Sequence, residues 1–145
     1  MDDFVDDSEV LYRRLTASRN LYTLKDDGTV EIHSTAFGDR DFKISVDRAK
    51  LCNHDPRYTM GNESGIVACL VAGQVRDIKN LTCSETKDDL QVFRIEVKPD
   101  PLLHNPAHAE IYGIPDFATK SAFRRLCRRL AQLAEQGQWI DLSKS

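Results

Sequence analysis

Alternation of apolar and polar side chains predicts several β-strands in the first 112 residues. The clearest pattern covers residues 93–98, where Phe, Ile and Val alternate with Arg, Glu and Lys. A second pattern covers residues 107–112, where Ala, Ala and Ile alternate with His, Glu and Tyr. A third covers residues 29–34, and shorter strands are expected at residues 21–24 and 42–46. The turn Lys-Asp-Asp-Gly at 25–28 predicts a hairpin between the strands on either side of it.

Three other segments have weaker patterns. Residues 65–78 contain the continuous apolar run Ile-Val-Ala-Cys-Leu-Val-Ala, which fits a buried strand or the centre of a helix. Flanking glycines and β-branched side chains favour the strand. Residues 47–52 are interpreted as one helical turn or a loop, and residues 53–62 have the composition of a surface loop.

One amphipathic helix is predicted from about residue 119 to residue 136, with Gly137 as its stop. Its apolar positions recur at helical spacing and form one stripe: Phe123, Leu126, Cys127, Leu130 and Ala134. Trp139 and Ile140 are expected to fold back onto the core. We therefore expect an α+β fold, mainly an antiparallel sheet with one amphipathic C-terminal helix packed on it.

Length and composition indicate one globular domain, residues 9–145, after an acidic flexible tail at residues 1–8. The net charge of −3 gives nucleic-acid binding no support. No apolar run approaches the roughly 20 residues that span a bilayer, and the acidic N-terminus is unlike a signal peptide, so we expect a cytoplasmic protein. The four cysteines lack metal or disulfide spacing and are expected to be free thiols. No cofactor or metal is predicted.

Candidate chemistry is concentrated in residues 99–113, which contain His104, Asn105, His108 and Glu110. The two histidines are four residues apart, as in helical metal sites, but Pro106 between them disfavours a helix. On a strand, a His-His-Glu set could hold a metal or a water, or either histidine could act as a general acid or base. The structural alternative is that Asn105 forms a turn and one histidine bonds buried carbonyl groups.

The dipeptide Arg-Arg at 13–14, followed by Ser-Thr-Ala-Phe at 34–37, is weakly similar to ADP-ribosyltransferase folds. Those enzymes place an arginine on an early strand and a Ser-Thr group on the next, with a late glutamate that orients the ribose. The resemblance implies Glu110 for the glutamate and Arg13 or Arg14 for holding negative charge.

Four arginines within six residues form a further candidate site: Arg124, Arg125, Arg128 and Arg129. Guanidinium groups at this density can grip phosphates or an acidic protein surface. The structural alternative is an ordinary solvated helix face. We favour a protein partner over nucleic acid because of the acidic net charge.

Four short motifs occur in a characteristic order: Leu-Tyr-Arg-Arg-Leu at 11–15, Ser-Thr-Ala-Phe at 34–37, Ser-Val-Asp-Arg-Ala at 45–49 and Asn-Pro-Ala-His-Ala at 105–109. This order, from residue 11 to about residue 135, resembles a group of small bacterial proteins with no known activity. The resemblance implies a bacterial origin and a single domain, and it adds no catalytic residue.

Two functional hypotheses follow. The first is a cytoplasmic protein that acts by binding a partner protein, with the arginine cluster and the 99–113 segment, including Asn105, as contact surfaces. The alternative is a small hydrolase or transferase, ADP-ribosyltransferase-like or nuclease-like, acting on a phosphate-containing substrate. In that enzyme His104 or His108 would be the acid or base, Glu110 would orient the substrate, and Arg14 would hold negative charge.

Overall fold

The computed structural model describes residues 4–39, 42–79, 81, 94–114 and 120–143. Its strands, in chain order, are β1 (Val10–Thr16), β2 (Tyr22–Leu24), β3 (Val30–Ile32), β4 (Ile44–Arg48), β5 (Gly65–Val71), β6 (Glu96–Pro99), β7 (His108–Tyr112) and β8 (Trp139–Asp141). Its α-helices are α1 (Pro56–Met60), α2 (Ala72–Arg76) and α3 (Lys120–Gln136). Short 3₁₀ turns cover Ala17–Arg19, Ser34–Phe37 and Ala49–Cys52.

Six of these strands form one antiparallel sheet in the order β6-β7-β4-β1-β5-β8, and β2 pairs with β3 in a separate hairpin. The α+β prediction, a mainly antiparallel sheet with one C-terminal helix, is confirmed. The 25–28 turn forms as expected, and the Lys25 N–H bonds the Thr29 carbonyl across it. The alternation of residues 93–98 gives β6, although Phe93 lies outside the described residues.

The apolar run after Gly65 forms a strand because both faces of the sheet are covered at β5. Ile66, Ala68 and Leu70 join the main core, while Val67 and Cys69 join a smaller core on the opposite face. The strand interpretation holds through Val71, after which the chain forms α2 instead. For residues 72–76 that interpretation was wrong.

The main core lies between the sheet and α3. The predicted apolar stripe is buried: Phe123, Leu126, Cys127, Leu130 and Ala134. The helix ends where predicted, and the Gly137 N–H bonds the Leu133 carbonyl. The β2–β3 hairpin is joined to this helix because the Ile32 N–H donates to the Glu135 carboxylate at 3.3 Å.

The smaller core lies under α1 and the Ala49–Cys52 turn, and Met60 is buried there at 2% exposure. The expectation of a surface loop over residues 53–62 is therefore wrong for α1. A capping signal was present in the sequence. The Asp55 carboxylate accepts the Arg57 N–H at 3.0 Å, and Pro56 occupies the first turn.

Residues 4–8 contact the rest of the fold, although Phe4, Asp6, Asp7 and Ser8 are exposed. Val5 is fully buried, and the Asp7 carbonyl accepts the Gly73 N–H at 2.8 Å. The Asp7 carboxylate also pairs with Arg76 at 2.7 Å. The charge of Asp7 is thus partly neutralised by an arginine 69 residues away.

An ion pair replaces part of the sheet ladder between β1 and β4, which are paired only at Leu11–Arg48 and Tyr12–Asp47. Further along, Arg13 donates to the Ser45 carbonyl at 2.8 Å, and the Ser45 N–H donates to the Asp39 carboxylate at 2.9 Å. Arg13 and Asp39 also bond each other at 2.7 and 2.8 Å. Both polar groups of the Ser45 backbone are thus satisfied by side chains where the ladder with β1 has ended.

Within the described ranges, no helix combines the length and apolar character needed to cross a membrane.

Candidate functional site

The connection between β6 and β7 is a tight turn that leaves Leu103 fully exposed at its tip. Leu102 and Asn105 exchange both backbone hydrogen bonds, each at 3.0 Å, and the Asp100 N–H bonds the His108 carbonyl at 2.9 Å. Pro101 and Pro106 restrict the backbone on either side. The turn is therefore held by its own backbone hydrogen bonds, although Leu103 at its tip is exposed.

The side chain of Asn105 holds this turn against the sheet. Its amide donates to the Asp47 carboxylate at 2.9 Å, and its carbonyl accepts the Tyr58 hydroxyl at 2.6 Å. Asp47 is only 9% exposed and also accepts the Thr59 hydroxyl at 2.8 Å. Burial and the charge of Asp47 raise the pKa of the Tyr58 hydroxyl, which keeps it a donor. The Asn105 amide is thus engaged inside the chain.

His108 is also engaged internally. Its Nδ1 lies 2.9 Å from the Asp100 carbonyl and 3.2 Å from the Asp100 carboxylate, and its side chain is 12% exposed. Hydrogen bonding at Nδ1 fixes the ring orientation. This contact agrees with the structural alternative, in which one histidine bonds a carbonyl group.

The sheet places three of the four predicted catalytic residues on the same face. His108 and Glu110 are two residues apart on β7, and the register pairs them with Asp47 and Ser45 of β4. Arg14 lies one strand further on, in β1, where it is exposed. Glu110 lies 3.8 Å from the Lys98 ammonium group. His104 does not join them, because it lies in the exposed turn.

Two other kinds of reactive centre find no support in the described ranges. No group of three or more His, Cys, Asp or Glu side chains there is arranged to hold a metal ion. The described cysteines, Cys52, Cys69 and Cys127, are buried free thiols. Burial raises the pKa of Cys52 and Cys69 to about 11 and that of Cys127 to about 12, so all three stay protonated near neutral pH. Cys83 lies outside the described residues.

The arginine cluster of α3 forms an exposed ridge. Lys120, Arg124 and Arg128 are exposed and recur every four residues, with exposed Arg129 beside them. Arg125 is half-buried. The helix carries five basic side chains and one carboxylate, giving a net charge of +4 within a chain of net −3. Positive charge is therefore concentrated on one helix.

Four arginines elsewhere in the fold are paired with carboxylates, whereas Arg14, Arg19 and Arg94 have no such pair among the described residues. Arg13 pairs with Asp39, Arg48 with Glu9, Arg57 with Asp55, and Arg76 with Asp7 and Glu96. Within the described ranges, by contrast, Arg124, Arg128 and Arg129 have neither a carboxylate partner nor a hydrogen bond from their side chains. The cationic groups of this ridge remain open to an external anion.

Sequence reasoning missed the network around Asp47 and the contribution of Asp39. The sequence predicts a helical turn or loop from residue 47, whereas Asp47 lies in β4, and its partners come from 12 and 58 residues away. The only available signal was the combination of polar Asp47 with the apolar residues around it in β4.

When the chain is compared with protein-family models, with curated proteins and with solved structures, no match is found.

Proposed function

We propose that this protein acts by binding an acidic partner protein through the exposed arginine ridge of α3, defined by Lys120, Arg124, Arg128 and Arg129. The observation that carries the proposal is that four exposed basic side chains lie together on one helix, and that the three arginines among them have no carboxylate partner in the described part of the chain. Arginine binds carboxylates through two parallel hydrogen bonds, which gives such a surface geometric selectivity as well as charge.

The helix beneath the ridge suits it for binding. Leu126, Leu130 and Ala134 are fully buried on its opposite face, so the exposed side chains project from a fixed support. A ridge of side chains four residues apart is also the surface that packs into the groove of another helix. Little conformational entropy need be lost by the backbone when a partner binds.

The hydrolase or transferase alternative has weaker support. Arg14, His108 and Glu110 share a sheet face, which favours a common site. However, His108 already contacts Asp100, Glu110 lies close to Lys98, and His104 is in the exposed turn. We therefore place partner binding first.

Charge reversal tests the proposal. We expect Arg124→Glu/Arg128→Glu to weaken binding of fluorescein-labelled poly-glutamate at least about tenfold, since each lost pair is worth up to about 1 kcal/mol and each reversal adds repulsion. Fluorescence anisotropy at several salt concentrations measures this affinity. The matched control, Arg19→Glu/Lys43→Glu, changes net charge equally at exposed positions outside α3 and should bind like the wild type.

Poly-uridine RNA is the second probe in the same assay. Tighter binding of RNA than of poly-glutamate, lost in the α3 variant, would replace the protein partner with nucleic acid. Equal effects of the α3 variant and its control would mean that net charge, and not the ridge, determines binding. Either result would overturn the proposal.

A further inference from the structure

A groove of about 330 Å³ lies between α2 and α3, directly beside the arginine ridge. From α3 it is lined by Arg129, Gln132, Leu133 and Gln136, which recur at the helical spacing of three and four residues. Gln74, Asp77 and Ile78 line it with the same spacing from α2 and the residues that follow it. Side chains from these two segments thus line one open depression within the size range of ligand sites.

The groove has an apolar floor and polar walls. Ile78 is 3% exposed, and Leu133 is half-buried against the main core. The three glutamine side chains are exposed and present both donors and acceptors. Such a lining suits a peptide, whose backbone needs donors and acceptors in turn and whose side chains include apolar ones.

The charges of the groove favour a peptide over a polyphosphate chain. Arg129 offers a bidentate site for a carboxylate, whereas Asp77 would repel successive phosphates. A peptide backbone, by contrast, supplies N–H donors for Asp77. Asp77 would also repel a second carboxylate, so the segment that fits this pair has a carboxylate at Arg129 and apolar residues beside Asp77.

We propose that the groove between α2 and α3 binds a short acidic segment of the partner that contains leucine or a similar apolar side chain. In this arrangement, which rests on the proposed function, a carboxylate of the segment pairs with Arg129 and its apolar side chain packs on Ile78 and Leu133. The glutamine amides bond its backbone. The ridge then supplies attraction along the helix, and the groove supplies selectivity.

Two peptides of equal charge test this inference, Glu-Glu-Leu-Leu-Glu-Glu and Glu-Glu-Gly-Gly-Glu-Glu. We expect the leucine peptide to bind about fivefold more tightly, because it alone buries apolar surface. Titration followed by ¹H–¹⁵N NMR reports the affinity and its location. The side-chain amide signals of Gln74, Gln132 and Gln136 should shift, while that of Gln138, which does not line the groove, stays in place.

The variant Leu133→Gln should lose the preference for the leucine peptide and bind the glycine peptide as the wild type does. The backbone NMR spectrum of the variant shows whether it folds. Equal affinity of the wild type for both peptides, or shifts confined to the ridge, would overturn the groove and leave the ridge proposal standing. If neither peptide binds, or if Arg124→Glu/Arg128→Glu binds both as the wild type does, the proposed function fails as well.

Discussion

The buried ion pair between Glu9 and Arg48 should be a major source of stability, and Glu9→Ala tests this directly. The two side chains are 4% and 6% exposed, and two hydrogen bonds of 2.8 Å join them. Removing Glu9 leaves a guanidinium buried without its carboxylate, which costs about 3–5 kcal/mol in comparable sites. Arg48 retains a bond of 3.2 Å to the Phe4 carbonyl, so we expect the lower end, about 3 kcal/mol.

Urea denaturation followed by circular dichroism measures this loss. With a denaturant slope of about 2 kcal/mol/M, the midpoint should fall by about 1.5 M. Glu31→Ala is the matched control, because its pair with Lys25 is 3.9 Å long and the two side chains are 55% and 50% exposed. That variant should lose less than about 0.5 kcal/mol.

The pH dependence of the free energy of unfolding is a second test of the Glu9–Arg48 pair. Burial raises the pKa of Glu9, but the hydrogen bonds and charge of Arg48 and the Asp6 N–H outweigh burial and hold the pKa below its ordinary value. The contribution of Glu9 is therefore fully present above the pKa of an unfolded glutamate, about 4.3, and is lost as the pH falls through the lowered folded value. The stability gap between wild type and Glu9→Ala should shrink as the pH falls from 7 to 3.

Two results would refute this reasoning. One is a Glu9→Ala loss no larger than that of Glu31→Ala, and the other is a stability gap that stays constant between pH 7 and pH 3. The double variant Glu9→Leu/Arg48→Met should recover most of the loss, because apolar side chains avoid the unpaired buried charge.

Two further predictions concern the backbone and the turn. Gly65→Ala should lower the free energy of unfolding by about 3 kcal/mol or more, because φ is +153° and the added Cβ would lie 2.1 Å from the Leu15 carbonyl oxygen. Gly28→Ala is its control, because φ is +87° there and open space surrounds the residue. Thermal melts should show a loss of only about 1–2 kcal/mol for that variant. Asn105→Ala should lower the free energy of unfolding by about 1–3 kcal/mol, since the buried Asp47 carboxylate and the Tyr58 hydroxyl lose their partner. Leu103→Ser, at the exposed tip of the same turn, should change the free energy of unfolding by less than about 0.5 kcal/mol. Equal losses within either pair of variants would contradict the explanation for that pair.

The elements that sequence patterns predicted well are those whose burial repeats with a regular period. The stripe of α3 and the alternation in β7 each follow from which side of one element faces the core, which is a local property. The positions of Val5 and Met60 could not be predicted in this way, because what buries each of them is the return of distant chain segments. The same limit applies to Asp47, whose polar partners lie in a different helix and turn.

The three Arg-Arg pairs of this chain show how the period of an element determines what a charged residue can do. On β1, successive side chains point to opposite faces, so Arg13 is held by Asp39 whereas Arg14 is exposed. On α3, successive residues are about 100° apart, so both members of a pair can reach solvent at Arg128 and Arg129. The pair on the strand therefore supplies one internal ion pair and one external charge, whereas the pair at 128–129 of the helix supplies two external charges. The sequence predicts the α3 arginines as one group, and the packing then separates half-buried Arg125 from the three arginines that a partner can reach.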